Sequence, residues 1–184
     1  MRKLIYAINI TIDGCFDHTP MTPDDEMLPY YAQLVRNADL LYGRITYQMM
    51  VPYWQDILKN PAGETKEDIE FAEAFESSNK IVFSRTLDKA GSANTKIFRT
   101  DLREEITRLK QEPGKDIMAG GIALPSQLIA MGLVDEFLFV VYPVIAGDGK
   151  RLLEGIRLKE NVKLRLVDTR AFKSGSFALR YIKQ

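Results

Sequence analysis

The chain has 184 residues, 46% of them hydrophobic and 27% charged, a profile that suits one globular domain with one substantial core. Lys plus Arg equals Asp plus Glu at 25 each, so no net positive field draws in a polyanion, and nucleic acid is not an expected partner. A single cysteine, Cys15, excludes an intrachain disulfide and fits a cytoplasmic setting, while a single histidine, His18, excludes a His-rich metal site.

The chain opens with Leu4, Ile5, Ala7, Ile8, Ile10 and Ile12, an apolar run that predicts a buried strand over residues 2–12, ended by Asp13-Gly14. The run is too short to span a bilayer, so no membrane association is expected. Thr22-Pro23-Asp24-Asp25 reads as a helix start, with Thr22 as N-cap, Pro23 at the first position and Asp25 at the third. Met27, Tyr31, Leu34 and Ala38 follow at helical spacing. Ala38–Tyr42 is a second strand closed by Gly43-Arg44, and a short helix over Thr46–Tyr53 ends near Pro52. Thr65–Ser77 reads as an acidic, mostly exposed helix, and Lys80–Ser84 and Thr95–Phe98 as two further strands.

Leu102, Ile106 and Leu109 mark the inner face of a helix that stops at Pro113-Gly114. Ile117–Ala119 is a strand that runs through Gly120-Gly121 into a helix over Ile122–Met131, with Gly132 just past its end. Glu136–Val144 is an apolar strand, and Val162–Thr169 and Gly175–Ile182 alternate as an antiparallel pair. This alternation of strands and helices predicts an α/β fold, a mainly parallel sheet with helices on both faces and antiparallel C-terminal strands, in one domain over residues 1–184.

Three strand ends carry the chemistry. A strand passing through Gly120-Gly121 into a helix gathers backbone N–H groups and a positive helix end, a seat for pyrophosphate; close packing of helix on strand is the alternative. Gly43-Arg44-Ile45-Thr46 repeats the design with a guanidinium and a hydroxyl, and Ser84-Arg85-Thr86 offers two hydroxyls around an arginine, suited to a monoester phosphate. Each alone also fits a solvated turn; a dinucleotide with several phosphates would use all three.

Acid candidates are Asp13 and Asp17, with His18 beside them, although Asp13 before Gly14 also reads as a turn residue. Asp24 and Asp25 read as first-turn helix acids, and Tyr6 and Tyr142 could reach a cavity from their strands or simply pack. Met49, Met50, Tyr53 and Trp54 read as core before pocket wall, and Lys150-Arg151 as a solvated pair that could also meet a substrate phosphate.

Taken in order, RKLIYAINITIDG, LLYGRITYQMMVPYW, NKIVFSRTL, MAGGIALPSQLIAMGLVDEF and YPVIAGDG resemble the dihydrofolate-reductase-like superfamily across nearly the whole chain. The likeness is to the bacterial branch that shares a domain with the reductase half of the riboflavin-pathway deaminase–reductase, RibD type. The resemblance implies a three-layer α/β/α sandwich, NADPH as hydride donor, a small heteroaromatic or sugar-linked substrate, and a homodimer. It carries cofactor roles onto Gly43, Arg44 and Thr46 at one phosphate turn, and onto Ser84, Arg85 and Thr86 at the adenosine ribose and its 2′-phosphate. Gly120, Gly121, Ile122 and Leu124 fall at the pyrophosphate cradle, and Ala7, Ile8 and Gly14 beside the nicotinamide. Asp13 is the remaining catalytic candidate. Two positions depart from the pattern: Met27 stands where dihydrofolate reductases place a carboxylate, and Ala119 where the riboflavin-pathway reductases usually carry an acid. The implied activity is therefore a reductase with a diverged substrate side, with a non-catalytic NADP(H)-binding module or a diverged dihydrofolate reductase as alternatives.

Overall fold

The computed structural model describes residues 1–16 and 24–184. Strands β1 (Leu4–Thr11), β2 (Ala38–Gly43), β3 (Lys80–Phe83), β4 (Thr95–Phe98), β5 (Asp116–Ala119) and β6 (Glu136–Tyr142) are joined by β7 (Leu164–Ala171) and β8 (Phe177–Lys183) in one sheet. The helices are α1 (Met27–Arg36), α2 (Arg44–Lys59), α3 (Lys66–Ser77), α4 (Leu102–Gln111) and α5 (Ala123–Ala130). The strand order is β4-β3-β2-β5-β1-β6-β8-β7. The first six strands are parallel, β8 runs antiparallel to β6, and β7 runs antiparallel to β8.

Alternation along each strand splits the core into two layers. Leu4, Tyr6, Ile117, Ala119 and Phe137 pack on one face with Ile106 and Leu109 of α4 and Leu124 and Leu128 of α5. Leu40, Tyr42 and Val82 pack on the other with Val35 of α1, Trp54 of α2, and Phe71 and Phe75 of α3. The three layers expected from the family resemblance are present.

Three helices differ from the sequence reading. First, α1 begins at Met27, with Asp25 in the turn before it rather than at its third position. The carboxylate of Asp24 accepts the N–H groups of Glu26 and Met27, both at 3.0 Å, and so satisfies the amides at the entry to the helix. Thr22 and Pro23 lie outside the described residues, as do Asp17 and His18. Second, α2 continues to Lys59 with Pro52 inside it. The missing N–H of an interior proline costs about 3 kcal/mol, offset here by burying Tyr47, Val51, Trp54 and Ile57 along one face. Third, α3 is far from mostly exposed, since Phe71, Ala72, Ala74 and Phe75 are buried against α1 and α2.

Burial also reaches charge. Glu136, 3% exposed, accepts from Lys3 and from Arg180 on the neighbouring strand β8. Burial by itself would raise this carboxyl; the hydrogen bonds and charges of Lys3 and Arg180 outweigh that and hold it below the ordinary range. A carboxyl depressed on folding contributes stability that is present above its ordinary value and lost as the pH falls through the folded one. Thermal melts should therefore show the native chain losing stability as the pH drops below 4.5. Glu136→Gln, which leaves two cations facing a neutral amide, should cost about 2–4 kcal/mol at pH 7 and show a shallower acid limb than the native chain.

Candidate functional site

Because β3, β2, β5 and β1 are neighbours and all parallel, their carboxyl ends share one edge of the sheet, the edge where open α/β sheets take ligands. A cleft of about 1390 Å³ opens there. Its walls include Ala7 and Ile8 from β1, Gly43, Arg44 and Thr46 from the β2–α2 turn, Ser84, Arg85 and Thr86 after β3, and Gly120, Gly121, Ile122 and Leu124 at the β5–α5 turn. The volume exceeds the few hundred to 1,000 Å³ of an ordinary small-molecule pocket, leaving room for a dinucleotide and a second ligand.

The glycine pair has two physical reasons. A Cβ on Gly120 would stand 2.7 Å from Cε1 of Tyr42, and one on Gly121 would run into Oγ1 of Thr46. Gly121 also has φ +85°, which favours glycine. Close packing is thus part of the answer, and it locks the β5–α5 turn onto the first turn of α2. The amide of Gly120 is spent within the sheet, donating to the carbonyl of Leu41 at 3.1 Å, so it is not one of the N–H groups open to a ligand. Beneath the turn, the buried hydroxyl of Tyr6 donates to the carbonyl of Gly121 at 3.1 Å. In a planar trans peptide the next N–H, that of Ile122, points the opposite way, away from Tyr6.

Helix starts divide into two kinds. Thr65 caps α3 with a reciprocal capping box, and Asp101 caps α4. By contrast, α2 and α5 begin at Gly43 and Ile122 without any side-chain cap. Both of these uncapped starts border the cleft, as do the acidic starts of α1 and α3; at α2 and α5 no carboxylate stands in the first turn, and the free N–H groups and positive dipole ends there suit an anion. Arg44 adds a guanidinium, hydrogen-bonded to Gln48 at 2.8 Å. The hydroxyl of Ser84 accepts the amides of Thr86 and Leu87, fixing the turn on which Arg85 stands exposed.

Asp13 and Gly14 do not line the cleft. The carboxylate of Asp13 accepts from the hydroxyl of Thr11 at 2.6 Å and from the amides of Ala146 and Gly147 at 3.1 and 2.9 Å. These donors, the Thr11 hydroxyl first, hold its carboxyl far below the usual range. Arg151 donates to the carbonyl of Asp13 as well, so the residue ties the β1–α1 loop to the loop after β6. A carboxylate so engaged is a poor proton carrier, and its geometry is that of a loop clamp rather than of a catalytic acid. Gly14 shares that loop, at φ +82°.

Sequence reasoning missed a polar group on the β1 side. The hydroxyl of Tyr31 on α1 donates to Oδ1 of Asn9 on β1 at 3.1 Å and lies 3.5 Å from the hydroxyl of Tyr142 on β6. Asn9 and Tyr31 line the cleft beside Ala7 and Ile8. Burial, then the neighbouring Tyr142, pushes the phenol of Tyr31 far above its usual range, so it stays a neutral O–H donor. Nothing in the strand pattern separates Asn9 from an ordinary mid-strand residue; only the pairing of β1 and α1 across the cleft does. Met27, by contrast, is wholly buried in the core, and Ala119 is buried at the cleft floor. Met49 and Tyr53 are 64% and 59% exposed and line the cleft as pocket wall, while Trp54 and Met50 belong to the core layer and reach the cleft from it.

Sheet order, helix placement and cleft together define a dihydrofolate-reductase-like α/β protein. The chain belongs to the RibD C-terminal domain family, which it matches over residues 2–177. It is 35% identical over 189 residues to the uncharacterized protein YyaP of Bacillus subtilis (strain 168), covering 98% of this chain and 94% of that one. Its fold is similar to that of a diaminohydroxyphosphoribosylaminopyrimidine deaminase/5-amino-6-(5-phosphoribosylamino)uracil reductase from Thermotoga maritima. There the TM-score is 0.68 at 16% identity, over 100% of this chain and 57% of that one. It is similar as well to dihydrofolate reductase from Enterococcus faecalis complexed with NADP(H), with a TM-score of 0.62 at 13% identity, over 99% and 96% of the two chains. Among the described residues no helix is long and apolar enough to cross a membrane.

Proposed function

We propose that the chain is an NADPH-dependent reductase that passes a hydride to a C=N or C=O group of a small heteroaromatic substrate. The observation that carries this reading is the pair of uncapped helix starts on neighbouring strands, with Arg85 at the third strand end, all bordering one cleft. When bound, the dinucleotide supplies the hydride, and the protein supplies alignment and exclusion of water. Ile122 and the first turns of α2 and α5 would hold the pyrophosphate, Arg44 one of its faces, and Arg85 with Thr86 the phosphate on the adenosine ribose. Ala7 and Ile8 would pack against the nicotinamide, placing the reacting face beside Asn9 and Tyr31. The Tyr31 hydroxyl, kept protonated by burial, donates to Oδ1 of Asn9 and so leaves the amide N–H groups of Asn9 as the donors there to orient the substrate's accepting atom.

Titration of the purified chain with NADPH, followed by nucleotide fluorescence, should saturate below millimolar concentration; absence of saturation ends this reading. Steady NADPH oxidation with a member of a pterin, aminopyrimidine and carbonyl panel would separate a reductase from a module that only binds.

The reading includes a cytoplasmic homodimer. Leu166 and Val167 on the edge strand β7, and Phe177 on β8 beside it, are 47%, 44% and 48% exposed, and an apolar edge strand is a template for a second copy. Light scattering should give twice the mass of one chain, and Leu166→Arg with Phe177→Arg should return it to the single-chain value.

A further inference from the structure

We propose that the second ligand of the cleft is a flat, largely apolar molecule without negative charge, neutral or cationic, held between α2 and the starts of α1 and α3. The inference rests on the dinucleotide reading only for the word second; the chemistry comes from the cleft walls. Charge along those walls is segregated. The basic residues among them are Arg44 and Arg85 at the ends of β2 and β3, and Lys150, which borders the start of α5 with Ile122 and Ala123. The acidic residues are Asp24 and Asp25 before α1 and Glu67 and Asp68 in the first turn of α3. Asp24 and Asp68 serve as helix caps through their carboxylates. Among the described residues Asp25 and Glu67 have no salt-bridge partner. An anionic arm entering between α1 and α3 would meet these four carboxylates and no lysine or arginine of the cleft wall.

The same cleft is lined along α2 by an apolar stripe. Ile45, Met49 and Tyr53 recur every four residues along α2 and are 72%, 64% and 59% exposed, an unusual surface unless something covers it. Behind them Trp54 packs its ring 4.4 Å from that of Phe71 and 4.9 Å from that of Tyr53. Trp54 is 9% exposed and its buried indole N–H has no hydrogen-bond partner among the described residues. Flat rings suit the aromatic wall, and absence of negative charge suits the four carboxylates.

Trp54 is the one tryptophan of the chain, so its fluorescence reports this region directly. The full-length chain with saturating NADP⁺ is titrated with 9-aminoacridine, a flat cation at neutral pH, and with acridine-9-carboxylate, the same ring bearing the opposite charge. The cation should quench Trp54 and bind about tenfold or more tightly than the anion, as expected for unit charges several ångströms from two unpaired carboxylates. The preference should shrink in roughly 0.5 M salt. Asp25→Asn combined with Glu67→Gln should bring the two affinities within about threefold of each other. Equal or tighter binding of the carboxylate, or no quenching by either probe, overturns the proposal. NADPH affinity, read separately from nucleotide fluorescence, decides the dinucleotide seat: the cation preference with no NADPH binding would leave this inference standing and that reading fallen.

Discussion

Gly121→Ala should lower NADPH affinity by at least about 100-fold and the melting temperature by about 5–15 °C. Two costs add at this position. An alanine at φ +85° costs about 1–2 kcal/mol against glycine, and its Cβ would run into Oγ1 of Thr46 and stand 3.2 Å from the Thr46 Cβ. Relieving that overlap means shifting the β5–α5 turn or the first turn of α2, and overpacking of this kind costs about 1–3 kcal/mol. Either shift moves an uncapped helix start away from the anion it would hold, so stability and nucleotide affinity should fall together. Gly43→Ala is the control: Gly43 has φ −79°, and an added Cβ would meet Cβ of Leu124 at an ordinary 3.7 Å. That variant should melt within about 2 °C of the native chain. Calorimetry and nucleotide titration on the two variants check this, and a Gly121→Ala protein that binds NADPH as the native chain does would remove the cradle from the argument.

The contrast between these glycines shows what was legible in the residues. Strand-to-helix alternation from Leu4 to Tyr142 gave the parallel order its direction, because apolar runs and terminal glycines are local signals. Arg44, Arg85 and Gly121 could be picked out for the same reason: each sits at a strand end whose position the run itself announces. What stayed hidden depends on contacts between distant segments. The amide of Gly120 reads as open until β2 is seen beside β5, where Leu41 takes it. Asp13 reads as either a turn residue or an acid until the loop at Ala146 and Gly147, more than 130 residues away, folds onto it. Pro52 reads as a helix end because its cost is local, while the compensating burial of Val51, Trp54 and Ile57 is tertiary. Tyr31 and Asn9, from separate elements, become a unit only when α1 crosses the end of β1.

Reversing the charge of Arg85 should separate the two nicotinamide dinucleotides. Arg85 follows β3 on a turn pinned by the Ser84 hydroxyl, is exposed at the cleft wall, and among the described residues makes no ion pair. A guanidinium with no ion-pair partner among the described residues is available for the phosphate that NADPH carries on its adenosine ribose and NADH lacks. A charge-assisted hydrogen bond contributes about 1.5–3 kcal/mol, and a glutamate in its place adds repulsion, so Arg85→Glu should weaken NADPH by about 100-fold or more. NADH, bound through the pyrophosphate at the β2 and β5 ends, should change by less than about threefold, since those contacts lie elsewhere along the sheet edge. Arg85→Lys, which keeps the charge and loses the planar fork, should fall between the two. Raising ionic strength should narrow the gap between native and Arg85→Glu proteins, because the repulsion acts at a solvent-facing site. Parallel titrations with both nucleotides measure all three variants, and an equal loss for NADPH and NADH would detach Arg85 from the 2′-phosphate while leaving the two helix starts in place.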